Sequence, residues 1–221
     1  MASPAEPIPE PRVPLSRERV LGAAIGLADK AGIESLTMRK LAQELGVEAM
    51  TLYYYVARKD DILSAIVDMV VSEFELPAPG VDWKTAIRRS AISAYEVLLR
   101  HPWAANLLLS GPIVSTARLR YMDSVLGTLR RAGFSPELTD HAYHALDSHV
   151  FGFTLWQVGI AAGLDQHPGS IASFLEELDV EAFPHLAEHV EQHLQERSSD
   201  DEGEFAFGLD LILDGLEAAR R

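Results

Sequence analysis

The sequence predicts an all-α fold, a small N-terminal three-helix helix-turn-helix domain followed by a larger helical domain. Three observations predict it. Apolar residues recur at intervals of three and four along most of the chain, with no alternating strand pattern and no repeat. Residues 36–63, LTMRKLAQELGVEAMTLYYYVARKDDIL, read as two short helices joined by a glycine turn and followed by the start of another. Proline and glycine collect where those periods break, in ELPAPG, SGP, AGFSP and QHPGS.

Residues 1–14, MASPAEPIPEPRVP, hold too many prolines and too few core formers to fold and read as a disordered arm. Ser16 then caps a helix with the stripe Val20, Ala24, Leu27, Ala28 and Ala31, ending at Gly32. Thr37 caps the second helix, which buries Leu41, Ala42 and Leu45 and stops at Gly46, where a left-handed backbone is easiest without a Cβ. The third helix, 48–55, is too short to stand alone, so Val47, Leu52 and Val56 point inward. Thr51, Tyr53 and Tyr55 then face out, and Tyr54 is assigned to core packing. These elements define an expected domain at 15–60. Asp60 and Asp61 open a linking helix, expected over 61–76, near its positive dipole end. Helices follow at 82–100, 103–109, 116–131, 136–164, 180–197 and 205–219, completing a second domain at 61–221.

A hydrophobic content of 48% supplies a real core. The absence of cysteine excludes disulfides, thiolate zinc sites and cysteine nucleophiles. No leader is recognisable, and the longest apolar run, 150–164, is shorter than the ~20 residues that span a bilayer, so a cytoplasmic protein without a membrane partner is expected. The net charge of -14 argues against nucleic acid until it is divided. Residues 12–60 hold eight basic against six acidic side chains, while 61–221 hold eleven against twenty-five. A locally basic head on an acidic body is oriented toward phosphate; the same acidity also serves solubility. No HExxH, GxSxG or phosphate loop is present, so no enzyme and no cofactor is expected.

The pattern LT-x-RKLAQ-x-LGVE, then TLY, then V-x-x-K closely resembles the DNA-binding domain of the tetracycline-repressor family over about residues 16–68. FAFGLDLILDGLEA at 205–218 is a weaker echo of that family's last helix. The resemblance implies a repressor that reads a palindromic double-stranded operator and is released by a small organic effector. It places Thr37 and Met38 at the entrance of the second helix, Arg39 near base edges or phosphates, Thr51 and Tyr53 on phosphates or bases, and Lys59 on a phosphate. Arginine suits guanine edges, and hydroxyls and lysine suit phosphate oxygens. Ala49 and Met50 depart from the family's polar residues there and imply a different operator, with Tyr55 reading sequence.

The body is then a sensor. Trp103, Leu107, Met122, Leu126, His144, Phe153 and Trp156 are the candidate effector residues, as large apolar walls with a few polar groups suit a small organic molecule; each also suits an ordinary core. Tetracycline repressors hold magnesium-bound drug partly through histidines, and the segments VSEFELP and ANLLLSGP contain none, which points away from tetracycline. The last helix and 150–164 carry more apolar surface than a small monomer covers, so a homodimer through a four-helix interface is expected; internal core helices are the other reading. His185, His189 and His193 share a helix face at metal-binding spacing, but surrounding glutamates make a solvated face the reading adopted, and no metal is expected. A DNA-bound adaptor without effector is the rival function.

Overall fold

The computed structural model describes residues 14–110, 115–166, 181–196 and 201–221. Among them every regular element is helical. The chain divides into two compact units, Met1–Ile66 and Val67–Arg221.

The first unit holds α1 (Arg17–Ala31), a 3₁₀ turn (Ile33–Ser35), α2 (Met38–Leu45) and α3 (Ala49–Leu52). Ser16 Oγ accepts from the Arg19 amide and Thr37 Oγ1 from the Lys40 amide, both at 3.2 Å, so both expected caps form. Gly46 ends α2 at φ 66° and ψ 34°, the left-handed region a side chain would strain. Val20, Leu21, Ala24, Ala28, Leu36, Leu41, Ala42, Leu52, Val56, Ile62 and Ile66 make a closed core. Leu27, Leu45 and Val47 are only half-buried, and Ala31, the last residue before Gly32, is exposed.

α3 is shorter than the expected 48–55. Its α-helical part has four residues, after which the Tyr53, Tyr54 and Tyr55 amides donate to Met50, Thr51 and Leu52 three residues back. That spacing advances three residues per turn instead of 3.6. It brings Tyr55 round to the face of Leu52, half-burying it, and throws Tyr54 outward, 88% exposed. The assignment of Tyr54 to the core is therefore corrected.

α4 (Lys59–Val71) crosses the division between the units. It stops short of residue 76 because the Ser72 amide is shared between the Asp68 and Met69 carbonyls, the Glu73 and Phe74 amides bond three residues back, and Glu75 is held by the next helix. Ser90 Oγ donates to the Glu75 carbonyl at 2.6 Å and Ser93 Oγ accepts from its amide at 3.0 Å.

In the second unit α5 (Trp83–Arg100), capped by Asp82, is buried on most sides. It packs against α6 (Pro102–Ser110), α7 (Thr116–Arg131), the 31-residue α8 (Pro136–Gln166) and the last helix, α10 (Asp201–Ala219). α9 (Pro184–Glu196) lies between α8 and α10 in sequence. Phe205 of α10 stacks on Tyr95 at 4.0 Å and on His149 at 4.8 Å, and His149 Nε2 lies 2.9 Å from the Phe205 carbonyl. A Cβ on Gly208 would stand 2.6 Å from the His149 ring, so only glycine admits this approach. Arg88 pairs with Asp210 at 2.7 Å and Lys84 with Asp214 and Glu217, tying the acidic face of α10 to α5.

α8 is not apolar all round in its surroundings. Val150, Phe151 and Thr154 are buried, whereas Gly152, Trp156 and Gly159 face outward, and the exposure of Gly163 lies outside the described residues. So do most of the expected arm and the QHPGS loop. No helix among the described residues is long and apolar enough to cross a membrane.

Candidate nucleic-acid interface and effector cavity

The helix-turn-helix presents a mixed surface. Arg39 and Lys59 are exposed, as are Met50 (71%) and Tyr53 (49%), while Met38, Ala49, Thr51 and Tyr55 are half-buried. Thr37 is exposed; its hydroxyl oxygen accepts from the Lys40 amide as the α2 cap, which leaves its O–H free to donate to a phosphate oxygen. Tyr54 joins this surface, and periodicity misses it because its exposure depends on the tightened turn after Leu52. The exposed face thus offers guanidinium, ammonium and phenol groups, the chemistry of phosphate and base-edge contact.

A small cavity opens among α5, α7 and α8 and beside Phe74. Most of its wall is apolar, from Ile87, Ala91 and Val125 to Leu146, Val150 and Phe151. One corner is polar. Arg118 Nη2 donates to both carboxylate oxygens of Asp147 at 2.8 Å and approaches the Tyr143 hydroxyl at 3.3 Å. The Tyr143 hydroxyl itself lies 3.3 Å from Asp147 Oδ1. The guanidinium sits 4.6 Å above the Phe151 ring. Burial pushes the Tyr143 phenol up to about 12, against the pull of the Arg118 charge, and burial likewise raises Tyr121. Both phenols are therefore neutral near pH 7.

None of the seven residues expected to bind effector lines this cavity. Trp103 is buried on α6, and Leu107, Met122 and Leu126 are half-buried on α6 and α7. Phe153 joins an aromatic cluster with Tyr95, His149, Trp156 and Phe205. His144 and Trp156 are exposed. The residues that do make the polar corner carry one sequence signal, the one-turn spacing of Tyr143 and Asp147. His185 and His189 are exposed on α9, and the side chain of His193 lies outside the described residues. Among the described residues no group of three or more His, Asp or Glu is arranged to hold a metal.

The cavity is joined to α4 through hydrogen bonds. Asp68 Oδ1 accepts from Ser115 Oγ and from the Ala117 amide, both at 2.8 Å, at the first turn of the helix that carries Arg118. Ser115 is also the α7 cap, accepting from the Arg118 amide at 3.1 Å.

A reading helix in one helical unit and a polar-cornered cavity in the other define a sensor-type regulator of transcription. Comparison with known proteins makes this specific. Residues 20–66 match the model of bacterial regulatory proteins of the tetR family, and 76–220 match the tetracycline-repressor-like C-terminal domain. The transcriptional repressor DrrR1 of Streptomyces coeruleorubidus is 33% identical over 94% of this chain and 79% of its own. The class D tetracycline repressor of Escherichia coli is 33% identical over 92% and 89%. Among solved structures, the Streptomyces coelicolor TetR family protein ActR in complex with (S)-DNPA superposes with a TM-score of 0.71, at 27% identity, over 95% of this chain and all of that one. The chain belongs to the tetracycline-repressor family. It is a ligand-responsive, DNA-binding transcriptional repressor.

Proposed function

We propose that this repressor acts as a cytoplasmic homodimer on a palindromic operator and is released by a small organic effector bound in the α5–α7–α8 cavity. The hydrogen bonds from Asp68 to the first turn of α7 carry this reading. They couple the helix bearing Arg118 to α4, the helix that continues back to Lys59 and into the first unit. A ligand that binds the body better in one arrangement of this joint lowers operator affinity by linkage. The exposed side chains of Trp156 on α8 and of Phe207 and Leu211 on α10, large apolar groups on two helices packed together, support the dimer. Two heads held about 34–36 Å apart meet successive major grooves. The domain reading follows the observed units: residues 15–66 read DNA, and 67–221 bind effector and partner subunit. The role is regulatory, with no catalytic step assigned.

For the reader, Arg39→Ala and Tyr53→Ala test the assignment at exposed positions. Each is expected to weaken binding to the native upstream operator about tenfold in fluorescence anisotropy. The thermal midpoint should stay within about 2 °C, since neither side chain is in the core. Tyr55 is less suitable, because its half-burial mixes folding with recognition. Unchanged affinity in both variants would remove residues 37–59 from the operator interface.

The joint has its own test. Asp68→Ala removes the acceptor for two donors and is expected to cost about 2 kcal/mol in chemical unfolding. It should also speed amide exchange at 116–119 by about tenfold, as the first turn of α7 loses its tether. Unchanged exchange there would mean that Asp68 is not the coupling element.

A further inference from the structure

Met50 is the one exposed side chain among the four residues of α3. Leu52, fully buried, fixes the inward face of this helix. Successive residues of an α-helix turn by about 100°, so Ala49 and Thr51 stand to either side of the anchored face. Both are half-buried. Met50, two residues before Leu52, comes round to about 160° from it. It forms the crest of the helix, 71% exposed.

In a helix-turn-helix the second helix enters the major groove with its N-terminal residues at the base edges. Met50 is the second residue of α3 and meets those edges first. Its thioether donates no hydrogen bond and accepts only weakly. Pressed against adenine, guanine or cytosine, it would strip water from amino, keto or ring-nitrogen groups and offer them no partner, which is costly. Thymine alone presents an apolar group in that groove, its C5-methyl. The unbranched, flexible side chain of methionine can follow that methyl across the groove. Arg39 and Tyr53, also exposed, are left to supply hydrogen bonds.

We infer that Met50 sets operator specificity by packing on the C5-methyl of one thymine in each half-site. This rests on the proposed operator contact of residues 37–59 and adds the base feature that it selects. The test uses the full-length protein and a duplex that it selects from a randomised pool. Each thymine is replaced in turn by deoxyuracil, which removes the methyl and leaves the base pairing intact. At one thymine of each half-site this is expected to weaken binding about fourfold in fluorescence anisotropy, the worth of one buried methyl. In Met50→Ala the thymine and uracil duplexes should bind within about 1.5-fold of each other at that position, while any other methyl effect persists. Met50→Gln should move the preferred base there from thymine to adenine, whose N6 and N7 a glutamine amide can bond together. Both variants should keep the wild-type thermal midpoint, since the side chain is outside the core. The inference is overturned if no thymine methyl matters, if its loss is equally costly in Met50→Ala, or if Met50→Gln still prefers thymine. Recovery of no preferred duplex by the wild-type protein would remove the reading-head assignment itself, and the inference with it.

Discussion

Leu52→Ala is expected to unfold the reading head while leaving the body folded. Leu52 has no exposed surface and ends an α-helix of four residues, far below the length at which a helix is stable by itself. What holds α3 is therefore its contact with α2 and the core around Leu41 and Val20. Truncating a fully buried leucine costs about 3 kcal/mol, a large share of the stability of a head this small. The two units make the effect separable. All three tryptophans, Trp83, Trp103 and Trp156, belong to the second unit, so their fluorescence reports the body alone. The expected result is loss of operator binding and of amide protection over 17–56, with the tryptophan transition nearly unmoved. A variant that still bound operator, with protected amides in the head, would show that α3 is held by something other than Leu52.

Most of the head is legible in its amino-acid sequence. Ser16 and Thr37 announce caps and Gly46 a left-handed turn, because each acts on its own neighbours within three or four residues. Helical stripes are legible for the same reason. Tyr54 escapes this logic because the change from α to 3₁₀ bonding after Leu52 alters the phase by a fraction of a turn per residue, and a run of three tyrosines carries no mark of where it happens. The cavity is harder still. Arg118 and Asp147 lie 29 residues apart and meet only because α7 and α8 pack side by side. Periodicity says which face of a helix is buried but not which neighbour it meets, so a search for large apolar residues favours Trp103 and Phe153. The half-buried pair of Arg118 and Asp147 at the cavity's polar corner is invisible to that search. Charge is informative in another way, once the basic head is separated from the acidic body.

The double variant Phe207→Asp with Leu211→Asp is expected to convert the repressor to a monomer and to abolish tight operator binding. Phe207 is 68% and Leu211 59% exposed, one helical turn apart on α10. Neither supports the fold of its own chain, whose α10 contacts run through Phe205, Leu209, Leu213 and Leu216, all buried. The stability of the single chain should accordingly change little. In the proposed dimer the same positions lie at a helix–helix interface, where two carboxylates per subunit would be buried without partners. Linkage of two heads on one palindrome raises affinity by about 10²–10⁴ over one head, so separating the subunits removes that factor. Sedimentation at micromolar concentration should show one species of single-chain mass, and anisotropy should show operator affinity reduced at least about a hundredfold. Half-site affinity should be unaltered, since residues 37–59 are untouched. A variant that still sedimented as a dimer would place the subunit contact elsewhere on the body. Full operator binding by a proven monomer would mean that one head suffices, and head spacing would then no longer account for release.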